Sequence, residues 1–351
     1  MLPRRCDRWI RSAAKACSKC VSGWWVRLAT VPSIGPLAAP STEKRLVVAG
    51  TVIRVSAAGA SLQLRFRLSS AAVGIAIFLS SGCTKTQPDT RSAPAAGAPP
   101  RLTLKQAHMG DRRLAFYLVS GRAPAILFEA GGGMDSSAWS KVIGPIYRAT
   151  GSELILYDRA GEGRSDEDRR AYKLQNSLDD LKSGLDQIGA PRRFIFVGHS
   201  FGGQIGAGFV TENRDRFISA VLVDANIPSF FTPEAIDTMA ATFPKNPDMS
   251  SKSARTVAAM MKAFPEMQAE FYAMCWPKNV PITTIMSEHS SLPSARQKKH
   301  LIEAYKEFVA EASNRTLVLA KGSSHFVMRD RPDVVEAAVI DSVKNAREDH
   351  R

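Results

Sequence analysis

Residues 193–204 read RFIFVGHSFGGQ. The run Phe194–Val197 has no polar position, which suits a strand buried on both faces. Gly198-His199-Ser200-Phe201-Gly202 follows, and then a glycine-rich stretch that reads as a helix. This is a G-x-S-x-G in strand–turn–helix context, a corner tight enough to force strained backbone angles on its serine. It constrains the whole chain, because a strand covered on both faces needs neighbours beside it and helices on either side.

The rest of the sequence supplies both. Apolar runs recur at LAFYLV (114–119), AILFEA (125–130), ELILYD (153–158), AVLVDA (220–225), ITTIMS (282–287) and RTLVLA (315–320). Between them SSAWSKVIGPIYRA, NSLDDLKSGLDQIG and PDVVEAAVIDSVKNA space apolar residues three and four apart, as amphipathic helices do. Strand alternating with helix predicts an α/β fold, a mostly parallel sheet flanked by helices. One interval breaks the rhythm. More than fifty residues separate AVLVDA from ITTIMS, more than a connection needs. PEAIDTMAATFP and SARTVAAMMKAFPEMQAEFYAM within it read as helices, so a helical cap is expected over about 228–280. Met239, Met260, Met261, Met267 and Met274 lie there; most are read as cap-to-core packing, with an adaptable apolar pocket as the other use.

The formal net charge is +14, but residues 1–83 carry +10 of it and leave +4 for the remainder. The basic excess belongs to the leader, and nucleic acid is not an expected partner. Cysteines are equally lopsided, with Cys6, Cys17, Cys20 and Cys83 early and Cys275 alone later, so no intradomain disulfide framework is implied. Cys17 and Cys20 form a lone C-x-x-C without the second pair or nearby histidine of a metal site. Neither H-E-x-x-H nor a phosphate-cradling Gly-x-x-x-x-Gly-Lys occurs. No metal or cofactor is expected.

Within the leader, Arg65 and Arg67 precede LSSAAVGIAIFL, residues 68–79. Twelve residues are too few to span a bilayer and suit the apolar core of a secretory signal. SSGC follows at 80–83. The segment resembles a bacterial lipoprotein signal, which implies lipidation of Cys83 as the mature N-terminus. Ser81 and Gly82 fit the cleavage box, while Ser80 stands where an aliphatic residue is usual. Residues 84–100 are rich in Pro, Ala, Ser and Thr and read as a flexible tether. The expected organisation is a leader (1–83), a linker (84–100) and a globular domain (101–351) at a bacterial cell envelope, lipid-anchored or periplasmic. Residues 1–60 have little periodicity, and the reading puts the true start near residue 55–64.

From about residue 101 to 345 the chain resembles the α/β-hydrolase family. The corner GHSFG matches the family's nucleophile elbow, which implies Ser200 as nucleophile and the Phe201 N–H as an oxyanion donor. ILFEAGGGMDSSAW (126–139) is similar to a family loop that usually reads His-Gly-x; here Ala130-Gly131-Gly132 stands, which implies Gly132 as the second donor. YDRAGEGRSD (157–166) resembles a family segment through Asp158, Arg159, Gly161, Gly163 and Ser165, read as a turn supporting the site. A serine needs a base. LVLAKGSSHFVMRDRPDVV places His325 after the last strand, where the family keeps it. His199 is read as packing and His300 as part of a solvated helix face.

The third member should be an acid that fixes the histidine tautomer. The family's commonest place for it is after ITTIMS, where this chain has Ser287-Glu288-His289-Ser290, with Ser290 at the usual aspartate. Asp224, ending AVLVDA, stands where some members carry their acid and is preferred; Glu288 is the alternative, and a missing acid is a third reading. The resemblance implies a serine hydrolase acting through an acyl-enzyme on a small or medium ester, lactone or amide. The alternatives are an acyltransferase with the same triad and a non-catalytic binding lipoprotein with an incomplete one. Dehalogenase or epoxide hydrolase chemistry is disfavoured, since those relatives use an aspartate where Ser200 stands.

Overall fold

Period-two alternation along the apolar runs divides the globular core into two layers. The computed structural model describes residues 100–292 and 294–349, together with three strands upstream. Those strands, β1 (Glu43–Val48), β2 (Thr51–Ala57) and β3 (Leu62–Arg65), pair antiparallel in that order within a separate unit. Cys83 and residues 84–99 lie outside the described residues.

The main sheet contains β4 (Thr103–Met109), β5 (Arg112–Val119), β6 (Arg122–Glu129), β7 (Ser152–Tyr157), β8 (Phe194–His199), β9 (Phe217–Val223), β10 (Ile282–His289) and β11 (Arg315–Ser324). Their spatial order is β11-β10-β9-β8-β6-β7-β5-β4. Only the β4–β5 and β5–β7 pairings are antiparallel; the others are parallel. β8 sends Phe194 and Phe196 into one layer and Ile195 and Val197 into the other. β6 and β9 do the same with Leu127 and Leu222 against Phe128 and Val223.

Helix spacing completes each layer. Leu178, Leu181 and Leu185 of α2 (Leu174–Gln187) join Ile205 and Phe209 of α3 (Phe201–Glu212) on the Phe196 side. Val142 and Ile146 of α1 (Ser140–Thr150) join Val335, Val339 and Val343 of α8 (Pro332–Glu348) on the Val197 side. Steps of three and four put each set on one helix face. The chain lays β7 on one side of β6 and then β8 on the other. That reversal opens a crevice at the carboxyl ends of β6 and β8, the place where open α/β sheets bind ligands. The Ser200 corner and the glycine loop after β6 both lie there.

Between β9 and β10 the chain forms a short turn of helix at Pro228–Phe230, then α4 (Pro233–Ala240) and α5 (Lys252–Tyr272). Phe264, Met267 and Phe271 pin α5 to the core, and Met274 follows them. Ser253, Thr256, Val257 and Met260 share another α5 face, which rests on the loops at the crevice. Ser253 Oγ donates to Glu162 Oε2 at 2.6 Å, and Lys252 Nζ to the Ser165 carbonyl at 2.6 Å. The Met260 methyl lies 2.7 Å from where a Cβ on Gly132 would stand. A side chain at Gly161, which has φ +83, would collide with Thr256, so glycine there lets α5 settle on the loop.

The remaining helices are α6 (Ala295–Ala310) and α7 (Val327–Asp330). Cys275 is disulfide-bonded. Among the described residues no helix is long and apolar enough to cross a membrane, and no group of three His, Cys, Asp or Glu side chains is placed to hold a metal ion.

Candidate active site

Ser200 sits between β8 and α3 with φ 52 and ψ −116. Among the described non-glycine residues only Ser200 and Asp224 have positive φ. Such a conformation costs of order 1–3 kcal/mol and persists only where surroundings enforce it. The Ser200 carbonyl accepts from Gly203 N–H at 3.0 Å and Asn226 N–H at 2.8 Å, and its N–H donates to Val223 O at 3.3 Å. A Cβ on Gly202 would stand 2.7 Å from the Glu129 carbonyl, so only glycine lets the first turn of α3 close on the end of β6. Phe201 opens α3, where backbone N–H groups have no acceptor inside the helix.

Asp224 follows β9 directly and is almost fully buried. Its Oδ2 lies 2.6 Å from His325 Nδ1. Oδ2 also accepts from Ser287 Oγ–H at 2.9 Å, and Oδ1 from Ser287 N–H at 2.9 Å. An ionised carboxylate only accepts, so His325 carries its proton on Nδ1 and keeps a lone pair on Nε2. His325 follows β11 in a turn fastened by Asp330 Oδ2, which accepts from Ser324 N–H at 2.8 Å and Ser324 Oγ–H at 2.5 Å. Glu288 is engaged elsewhere. Its Oε2 accepts from Gly322 N–H at 2.7 Å and lies 3.8 Å from His289. Ser290 Oγ accepts from Leu292 N–H at 3.2 Å. The structure thus joins His325 to Asp224 and leaves Glu288 and Ser290 with other partners.

His199 has no exposed surface. Its Nε2–H donates to the His325 carbonyl at 3.0 Å, and the two rings lie 4.7 Å apart. Burial lowers its pKa to about 3, so it stays neutral and steadies the His325 backbone. His300 corrects the sequence reading of a solvated face. It is half-buried, its Nε2 lies 3.0 Å from the Phe230 carbonyl, and its ring packs on Phe230. The start of the cap leans on α6 at that point.

The glycine loop after β6 is held from behind by Arg159. The guanidinium donates to the Glu129 carboxylate, to the Ala130 carbonyl at 2.7 Å and to the Gly131 carbonyl. Tyr157 OH donates to the other Glu129 oxygen. Burial is the strongest single pull on the Arg159 pKa and lowers it, but Glu129, Tyr172, Tyr157 and Glu162 together outweigh it, so the pKa is raised and the guanidinium stays charged. In a trans peptide the C=O and the following N–H point opposite ways. With the Gly131 carbonyl on Arg159, the Gly132 N–H faces away from it. Asp158 ties neighbouring turns together, accepting from Ser136 N–H at 2.9 Å, Arg164 N–H at 2.8 Å and Tyr117 OH at 2.8 Å. Glu129 and Ser287 escaped the sequence reading. A lone acid in the apolar run AILFEA was the available signal for Glu129; Ser287 gave none.

A model of the alpha/beta hydrolase family matches residues 126–338, well over half of the chain. The chain belongs to the alpha/beta hydrolase family. This alpha/beta hydrolase is 27% identical to the uncharacterized protein YqjL of Bacillus subtilis (strain 168) over 222 residues, 62% of this chain and 82% of YqjL. It is 32% identical over 118 residues to the putative carbamate hydrolase RutD of Azorhizobium caulinodans, covering 34% of this chain and 43% of RutD. Its fold is similar to the enol-lactonase from Burkholderia xenovorans LB400, at TM-score 0.50 and 18% identity over 68% of this chain and all of that one. It is also similar to the haloalkane dehalogenase DatA from Agrobacterium tumefaciens C58, at TM-score 0.52 and 16% identity over 70% of this chain and 97% of that one.

Proposed function

We propose that this chain is a serine hydrolase that cleaves a small or medium ester, lactone or amide through an acyl-enzyme. The observation that carries the reading is the 2.6 Å contact between His325 Nδ1 and Asp224 Oδ2. It commits one ring nitrogen to a buried carboxylate and leaves the other as a base.

In this reading Ser200 Oγ attacks the acyl carbon while its proton passes to His325 Nε2. The carbonyl π bond breaks, and the oxyanion forms against the N–H groups of Phe201 and Gly132. Collapse expels the leaving group, which takes the proton from His325. Water then gives a proton to His325 and attacks the acyl carbon, and Ser200 regains its hydrogen as the acid leaves. Asp224 stabilises the imidazolium in both halves. Serine, not a carboxylate, at the elbow supports acyl chemistry over displacement of a halide.

Apolar side chains around the glycine loop support a substrate with apolar parts. Met260 and Val257 of α5 reach Gly132 and Gly133. The signal-like segment ending at Cys83 supports a lipid anchor in the membrane or a periplasmic location at a bacterial cell envelope. A fluorophosphonate probe tests the enzyme reading. It should label the wild type and not Ser200→Ala; a folded wild type that stays unlabelled would sink it.

A further inference from the structure

We infer that Ser287 is the positioning residue of this site, gripping both oxygens of the Asp224 carboxylate so that Oδ2 stays on His325. The inference rests on the reading of Asp224 and His325 as acid and base.

The grip comes from the way the β9–β10 ladder ends. The two strands pair in parallel from Ala220↔Ile282 to Val223↔Ile285. Asp224 N–H continues the ladder to the Ile285 carbonyl at 2.7 Å. In a regular parallel ladder the next bond would run from Ser287 N–H to the Asp224 backbone carbonyl. Asp224 instead has φ 40, which turns that carbonyl out of line. Ser287 N–H takes the side-chain Oδ1 at 2.9 Å. The last donor of the β9–β10 ladder is therefore spent on the carboxylate, not on the backbone.

The hydroxyl adds the second hold, 2.9 Å from Oδ2. Besides His325, both donors that reach this carboxylate among the described residues come from Ser287. The second torsion of an aspartate is broad, so a carboxylate held at one oxygen swings easily. Held at both, it keeps Oδ2 on Nδ1. Ser287 is itself buried, at 4% exposure, which leaves no ready place for solvent to replace it. The hydroxyl also draws off part of the negative charge that His325 faces. The other titratable or charged groups around the pair are His199, Tyr305, Arg329, Asp330, which is bound to Ser324, and Glu288, which is bound to Gly322 N–H. His199 bonds to the His325 carbonyl, Tyr305 to the Ala225 carbonyl, and Arg329 lies over Phe326.

The test compares Ser287→Ala and Ser287→Thr in the full chain, with a chromogenic short-chain ester, from pH 5 to 9. Ser287→Ala should lower kcat about tenfold, the scale of one hydrogen bond to a charged group, with KM within about twofold. Loss of the hydroxyl makes Asp224 a stronger partner for the imidazolium, so His325 should hold its proton to higher pH. The acidic limb should therefore move up. Ser287→Thr, which keeps the hydroxyl, should restore most of kcat and return the limb. Wild-type kcat with an unmoved limb in Ser287→Ala overturns the inference, as does a loss that Thr does not restore and that follows only a lowered melting temperature. Should Ser287→Ala not fold, Ser287→Cys, a weak donor, carries the same comparison. Asp224→Asn separates the two failures. If it retains wild-type turnover, the acid reading itself falls; if it is inactive while Ser287→Ala is fully active, only the role of Ser287 falls.

Discussion

Arg159 donates to the Gly131 carbonyl, and the other end of that peptide is the Gly132 N–H. A buried cation thus turns the Gly132 N–H away from itself and fixes the direction of that backbone donor. Glu129, which also accepts from Tyr157 OH, holds the guanidinium in turn. The segment that the sequence presents as a supporting turn reaches the proposed oxyanion through one peptide plane.

Arg159→Lys should expose this dependence. Lysine keeps a positive charge beside Glu129 but lacks the planar fork that meets Glu129, Ala130 and Gly131 together. We expect kcat to fall about 10- to 100-fold, toward the loss of an oxyanion donor, with KM changed much less. Steady-state kinetics on protein shown to be folded by circular dichroism checks it. Wild-type kcat in a folded variant would mean that the loop holds itself.

The buried neutral His199 makes stability depend on pH. Its pKa is about 3 in the fold, depressed mainly by burial, against about 6.5 in an unfolded chain. As pH falls from about 6.5 toward 3, the unfolded state takes up a proton that the folded state refuses. Stability should fall through that window by on the order of a few kcal/mol from this group. His199→Gln removes the titration, so its melting temperature should decline less steeply over the same range. Parallel melting curves against pH for the two proteins would refute the assignment.

Met260 should set the size of group accepted beside Gly132. Its methyl occupies the space where a side chain on that glycine would stand. Met260→Ala should raise kcat/KM for a hexanoyl ester relative to an acetyl ester by about tenfold, within the range that a pocket side chain commands. A series of acyl esters of graded length checks it. An unchanged ratio would place the acyl group elsewhere under the cap.

Much of the architecture was legible because burial enforces pattern. Runs such as RFIFVG have to be apolar where both faces are covered, and α2 and α8 repeat their apolar residues at helical spacing. β4 was missed because TLKQAHM lies at the sheet edge, where Ala107 is its one buried side chain. Ser200 and His325 stand in local motifs and could be found singly. The bond between His325 and Asp224 spans 101 positions, and the grip of Ser287 on Asp224 spans 63. Neither leaves a local trace, because both depend on which strands lie side by side and on one residue at φ 40. Glu129 was passed over inside the run AILFEA, although Arg159 needs a buried counter-charge. His300 was misread because a charged helix gave no hint that Phe230 would pack against it.

The most direct measurement is the turnover of Asp224→Asn beside Glu288→Gln, both checked for folding, on one activated ester. Asp224→Asn should lose activity by up to about 10⁴-fold, the effect of removing a triad acid. Glu288→Gln, whose carboxylate caps Gly322 N–H and not His325, should stay within about threefold of wild type, since it touches no reacting group. A collapse in Glu288→Gln together with an active Asp224→Asn would contradict the site described.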